Sequence, residues 1–497
     1  MSCRFLLAVV LSLCLLDAAK AQDRPPPRPS FPELPASAPA GSGTIQPCME
    51  ELEGSVRCGR YRVWEDRVAK SGRTIDLAFV IADALDPAAG NSDAITYFFG
   101  GPGTSVTTPS PFVIGASRAL REKRDLLFLD FRGVGASQAL DCTVPYPRGV
   151  ESRFGEIFPV DHIEACRDHL SERTRLDLYT SATNMDDLDE LRAWLNYTHL
   201  NLSGGSYGTL EIQVFLRRHP ESVRTAILNS CFPISEPGYV THARGLQNAL
   251  DELVAECETN EACAAAYPDF GKTVERVLEK VRTDPPEVLA EGKTVKLGPG
   301  ELGYALRGLL YRRGVEVPSM VWRAAQDEWQ PLADYYLQRS GWVGEKGGEA
   351  GMHFSVLCAE DIGRLDAETI ARETAGTFLG DYLVGGYARA CEVWPYAQLD
   401  DSFWEPVTSD VPALFLSGSR DPVTPPSGAE VVAKYLPNSL QIVVEGAGHG
   451  VGGPCIGQIV SGFIDAGTVE GLDTSCLEEW PPTEFVLPEA QDEGVEP

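Results

Sequence analysis

Basic residues are scarce in this chain. Among its 497 residues 42 are Lys or Arg and 72 are Asp or Glu, a formal charge of −30. That balance repels nucleic acid and anionic membrane surfaces, so neither is an expected partner. It favours solubility, and it attracts cationic groups such as the α-ammonium of a peptide. Long apolar runs are also lacking. The longest, Phe5 to Leu16, is short for a bilayer span, and no later stretch matches it. Stable membrane insertion is therefore not expected. Histidines number only seven. His162, His169 and His353 fall in no metal-ligand spacing, no cysteine spacing resembles a zinc site, and no cofactor is called for. No internal repeat is visible, which excludes a solenoid.

What is present begins with an export signal. Arg4, the apolar run and Ala19-Lys20-Ala21 read as a signal peptide over residues 1–21, cleaved before Gln22. The expected location is secreted or periplasmic, where disulfides form. Eleven of the thirteen cysteines lie beyond the signal. Cys48 with Cys58 and Cys257 with Cys263 flank short loops. Cys142 with Cys166, Cys358 with Cys391 and Cys455 with Cys476 are further candidate partners, and Cys231 is left over. Spacing alone leaves the connectivity open.

Residues 22–47 are rich in Pro, Ala and Ser and read as a disordered leader. From residue 48 to 232 strand patterns alternate with helical ones. Arg73 to Ile81 alternates, Ala94 to Phe99 runs into Gly100-Gly101-Pro102-Gly103, and Leu126 to Leu129 is continuously apolar. Such alternation predicts an α/β fold with a mostly parallel sheet flanked by helices. Residues 233–405 carry helical patterns without strand rhythm and read as a mainly helical cap. Strands resume in 406–477, and 478–497 is an acidic, proline-bearing tail.

The chemistry centres on Gly204-Gly205-Ser206-Tyr207-Gly208. A strand candidate, His199 to Ser203, precedes it, and a helical pattern from Leu210 to Arg218 follows. A Gly-x-Ser-x-Gly turn between strand and helix lifts the serine hydroxyl clear of the sheet edge and turns the next backbone N–H toward an oxyanion. A serine hydroxyl needs a base, and the base needs an orienting acid. Asp421 follows the apolar strand pattern at 411–416, and His449 follows the one at 440–444. The order Ser206, Asp421, His449, each past a strand, is that of a nucleophile-elbow hydrolase.

These elements, with Asp130 to Ser137, Asp421-Pro422-Val423-Thr424-Pro425 and Gly446 to Gly450, resemble α/β-hydrolase serine exopeptidases of the tripeptidyl aminopeptidase and proline iminopeptidase family. Cys358-Ala359-Glu360-Asp361, Cys391 to Pro395 and the segment from Cys455 to Cys476 resemble secreted tripeptidyl aminopeptidases. The chain departs at Phe99, where iminopeptidases have His, and at Thr104-Ser105-Val106, where the tripeptidyl group has Gly-Ser-Gly.

The resemblance implies an acyl-enzyme on Ser206, with His449 as base then acid, Asp421 orienting it, and the amides of Gly101 and Tyr207 as oxyanion hole. It also implies peptide substrates with a free N-terminus. Glu236, Glu360 and Asp361 are candidate partners for the α-ammonium, although each reads more readily as a solvated or structural acid. The alternative is a carboxylesterase or other acyl hydrolase using the same triad. The number of residues released and the oligomeric state are not encoded in any motif.

Overall fold

The structure, a computed structural model, describes residues 27–86, 92–142, 149–340 and 349–488. The signal peptide read at 1–21 and residues 489–497 of the tail lie outside the described residues.

A nine-stranded sheet forms the centre. Its strands are β1 (Gly43–Pro47), β2 (Val56–Trp64), β3 (Thr74–Ala82), β4 (Asp93–Phe98), β5 (Asp125–Leu129), β6 (His199–Gly205), β7 (Val223–Asn229), β10 (Ala413–Gly418) and β11 (Ser439–Val444); β8 (Glu287–Ala290) and β9 (Lys293–Lys296) make a separate hairpin. The order is β1-β2-β3-β5-β4-β6-β7-β10-β11. Strands β5, β4, β6, β7, β10 and β11 run parallel, whereas β1, β2 and β3 pair antiparallel at one side. Side chains alternate between two cores, as the pleat requires. Phe79, Ile81, Leu127 and Leu129 face one, and Val80, Ala82, Leu126 and Phe128 face the other. Burial on both faces is why these strands read as continuous apolar runs.

Helices α1 (Ser181–Trp194) and α2 (Gly208–Arg218) pack on the first face. Between β7 and β10 the chain leaves the sheet and builds a cap. Its main helices are α3 (Gly238–Thr259), α4 (Pro299–Arg312), α5 (Ala350–Glu360) and α6 (Tyr382–Val393). Every residue of α5 is buried, the pattern of a helix enclosed on all sides. Helix α7 (Pro454–Ala466) covers the second face. The five cysteine pairs expected from the sequence are all bonded, and Cys231 is free and buried. The bond between Cys358 and Cys391 joins α5 to α6. Among the described residues no helix is long and apolar enough to cross a membrane.

Two segments are more ordered than their composition suggests. The leader is read as disordered to residue 47, yet Gly43–Pro47 pairs with β2 as an edge strand, where a terminal proline is tolerated. Upstream of it, Arg62 donates to the carbonyls of Pro35, Ala36 and Ala38. In the tail, Phe485 is buried, the Val486 N–H donates to Val315, and the Tyr267 hydroxyl donates to the Val486 carbonyl. Both segments are held by backbone groups bonding to distant partners, which composition does not reveal.

Candidate active site

Parallel strands end on one edge, so the loops after β4, β6, β10 and β11 converge. Ser206 lies just past β6 with φ 57°, a left-handed conformation that a non-glycine residue adopts only when its surroundings fix it. Those surroundings are visible. The Ser206 N–H donates to Asn229 O at 2.9 Å, and its carbonyl accepts from the Thr209 N–H at 2.9 Å and the Thr209 hydroxyl at 2.6 Å. The loop after β4 presses against it. A Cβ on Gly100 would lie 2.6 Å from the Ser206 Cβ, so only glycine lets the two loops meet.

Asp421 and His449 are both buried. The His449 Nδ1 lies 3.0 and 2.9 Å from the two Asp421 oxygens. Oδ1 also accepts the N–H groups of Val423 (3.1 Å) and Thr424 (2.9 Å), and Oδ2 accepts the Thr424 hydroxyl at 2.8 Å. Burial pushes the Asp421 carboxyl up, but the bond and charge of His449 and the Thr424 N–H outweigh it and hold it below its ordinary value. An ionised Asp421 draws the proton to Nδ1 and leaves Nε2 as the basic nitrogen. The two loops can approach because a Cβ on Gly418 would sit 2.2 Å from Gly448 O.

Two residues that the sequence reading passed over hold this arrangement together. Asn229 takes the Ser206 N–H with its carbonyl, and its side chain bonds both the carbonyl (2.6 Å) and the N–H (3.0 Å) of Val451. It thereby ties the Ser206 turn to the His449 loop. Tyr311, at the end of α4, accepts the His449 N–H on its carbonyl at 2.9 Å and lays its ring 4.1 Å from the imidazole. Burial pushes its phenol up, while Arg307 and a hydrogen bond with Ser206 pull it down. Neither residue belongs to a sequence motif. Asn229 ends a strand next to the elbow, a position that could have marked it; Tyr311 has no local signal.

Gly101 and Tyr207 both line the cavity beside Ser206. Asp130, past β5, fixes the loop that carries Gly101. Oδ1 accepts from the Ser105 hydroxyl and the Val106 and Thr107 N–H groups, and Oδ2 from the Thr107 hydroxyl and the Ala136 N–H. From the cap, the Tyr239 hydroxyl donates to Gly101 O at 2.5 Å, and His353 Nδ1 lies 3.0 Å from Pro102 O. Burial pushes His353 down to about 4, so it is neutral at physiological pH. Its Nε2 lies 3.1 Å from the Tyr387 hydroxyl, and the ring is part of the cavity wall. Among the described residues no cluster of His, Cys, Asp or Glu could hold a metal.

The cavity above Ser206 has a volume of about 320 Å³. Its wall includes Tyr207, Tyr239, Tyr304, Tyr311 and Tyr387, with Arg307 and Arg339, and no carboxylate among the described residues. The three candidate amine partners lie elsewhere. Glu360 is buried behind Tyr207, accepting its hydroxyl and, at 2.6 Å, the Ser181 N–H. Burial pushes it up to about 7. Asp361 accepts the Gly238 N–H at 2.8 Å at the start of α3, and burial pushes it up to about 6. Glu236 is exposed on the preceding turn. The structure thus brings Ser206, Asp421, His449, Gly101 and Tyr207 to one edge and does not bring the three carboxylates into the cavity.

The strand order and cap are those of an α/β-hydrolase, and the chain is a serine hydrolase. Residues 376–476 match the family of TAP-like proteins. Over 86% of its length the chain is 25% identical to the serine protease Hip1 of Mycobacterium tuberculosis, covering 88% of that protein. It is 24% identical to the tripeptidyl aminopeptidase of Streptomyces lividans, covering 86% of this chain and 84% of that one. A solved α/β-hydrolase, MGS-M2 from a deep-sea metagenome, is 14% identical over 76% of this chain and 88% of its own, with a TM-score of 0.33.

Proposed function

We propose that this protein is an exported serine peptidase that releases single residues or short peptides from free N-termini. Ser206 is the nucleophile. His449 takes its proton through Nε2 and returns it to the leaving amine, and Asp421 keeps Nδ1 protonated. The N–H groups of Gly101 and Tyr207 receive the oxyanion, and a water activated by His449 resolves the acyl-enzyme.

The observation that carries this reading is the cap-roofed cavity over Ser206. A volume of about 320 Å³ suits a few residues of an extended chain end, near the lower bound of small-ligand sites. A chain threaded through the site would need room at both ends. The serine protease and aminopeptidase named above, similar over 86% of this chain, support peptide rather than simple ester substrates. Five disulfides and the signal peptide read at residues 1–21 support export. Recognition of the α-ammonium is not assigned to Glu236, Glu360 or Asp361, given where they lie.

The test is a panel of free and N-acetylated mono-, di- and tripeptide anilides on the mature protein and on Ser206→Ala. Turnover of free-amine substrates alone, abolished by Ser206→Ala, is the expected result. Equal turnover of blocked substrates, or of plain esters with no peptide cleavage, would replace this reading with an acyl hydrolase.

A further inference from the structure

The cavity holds a charge that no described residue neutralises. Arg307 lies on α4 and lines the cavity. Its guanidinium rests on the rings of Tyr304 and Tyr311, 5.5 and 5.3 Å from their centroids. No hydrogen bond or ion pair joins it to any described residue, and its Nε is sealed from solvent without a partner. A sheltered guanidinium offers five N–H donors in a planar fork and stays charged. Only Nε is sealed and the residue is half-buried, so a ligand in the cavity can take the place of water on the remaining donors and make charge-assisted bonds with them.

Among the described residues nothing that lines the cavity offers an alternative. The cavity wall carries a second arginine, Arg339, and no carboxylate among the described residues. His242, also on the wall, is held well below its ordinary value by burial and by Arg307, so it is neutral and supplies no counter-charge. Asp421 is engaged by His449 and Thr424. This cationic patch sits inside a chain whose net charge is −30. Surplus acid elsewhere makes an unpaired, half-buried arginine on the cavity wall the more specific feature.

Its position fixes what it can reach. Arg307 precedes Tyr311 by one helical turn, which puts the two side chains on one face, roughly 5–6 Å apart at Cβ. Tyr311 in turn lies against His449 and Ser206. An anion held by Arg307 is therefore within one residue's reach of the carbonyl that Ser206 attacks.

We propose that Arg307 binds a substrate carboxylate, so that the cavity selects peptides with an acidic group near the cleaved bond. The proposal rests on the peptidase reading and names the substrate class of the same site. The carboxylate can be an Asp or Glu side chain, or the C-terminal carboxylate of a very short peptide. A planar guanidinium meets either in a bidentate pair.

Binding by calorimetry to Ser206→Ala separates recognition from turnover. Tripeptide anilides with Glu or Gln at each position test the side chain. Free tetrapeptides and their C-terminal amides test the terminus. An acidic member binding at least about tenfold tighter than its neutral partner, in either series, is the expected result, and the series that shows it names the source. In the double variant Ser206→Ala/Arg307→Met that ratio falls to about one while the neutral peptide stays within about threefold, and Arg307→Lys keeps part of it. A ratio of one throughout in Ser206→Ala overturns the proposal even if the double variant does not fold. So does a ratio that survives Arg307→Met. Turnover of neutral anilides by the unaltered enzyme reads the peptidase assignment separately, so either can fail alone.

Discussion

The backbone N–H of His449 donates to the carbonyl of Tyr311 at 2.9 Å, and the two rings lie 4.1 Å apart. The base of the proposed triad is thus held in part by the cap. Losing the ring should loosen the imidazole, while losing only the hydroxyl should not. We expect Tyr311→Ala to lower kcat by about tenfold, the worth of one aromatic contact. Tyr311→Phe keeps the ring and loses the hydrogen bond with Ser206, so it should lower kcat by less than Tyr311→Ala, about threefold to fivefold. Steady-state kinetics on the best peptide anilide checks both.

Thr424 donates its hydroxyl to Asp421 Oδ2 at 2.8 Å and lies 3.0 Å from His449 Nδ1. A donor to a carboxylate favours the charged form, so removing it raises the Asp421 pKa. Asp421 is held below its ordinary value, and its ionised form is lost as pH falls through that lowered value. Thr424→Val should move this loss to higher pH. The stability that ionised Asp421 contributes is lost as pH falls through its folded value, so the pH midpoint of acid unfolding should rise in Thr424→Val and be restored in Thr424→Ser.

Asp130 accepts from Ser105, Val106, Thr107 and Ala136 with both oxygens. An amide nitrogen in place of either oxygen would face donors. Asp130→Asn should cost about 3 kcal/mol and lower Tm by several degrees. Because this loop carries Gly101, kcat should fall as well, with KM less affected. Calorimetric melting and kinetics below the lowered Tm separate the two effects.

Glu211, in the first turn of α2, is buried and pushed up to about 8, first by burial and then by the charge of Glu360. Glu360 is raised in the same direction, to about 7. Above about pH 4.5, where the unfolded chain releases them, the folded protein keeps the Glu360 proton to about pH 7 and the Glu211 proton to about pH 8. The contribution is full below about pH 4.5 and lost as pH rises through the folded values, so stability should fall across that window. Glu211→Gln should flatten the fall, raising Tm by several degrees at pH 8 and little at pH 5. Melting curves over that pH range test it.

The sheet, the cap and the strand-end residues were legible because each has a local signature. Ser206 sits in a glycine-bracketed turn, Asp421 and His449 each follow an apolar run, and parallel strands must end on one edge. The cysteine pairs were legible because their partners lie near in sequence. What was not legible depends on distant packing. Tyr311 and Arg307 reach the cavity only because α4 folds over the sheet, and nothing in Pro299–Arg312 marks the face that will do so. Glu360 and Asp361 follow Cys358, yet Glu360, on the fully buried α5, turns to Tyr207 and Ser181, and Asp361, just past the helix, turns to the Gly238 N–H. Glu236 is conspicuous in sequence and exposed in the fold.

The central claim is that Ser206 carries the peptidase reaction. Its most direct test is peptide mapping by mass spectrometry after treatment with a peptidyl diphenyl phosphonate, with residual activity on the free-amine anilide followed in parallel. The expected result is one adduct per chain, on Ser206, with activity lost in proportion to labelling and no adduct in His449→Ala. Peptide hydrolysis that persists in fully labelled protein, or an adduct on another residue that accounts for the loss, would contradict it.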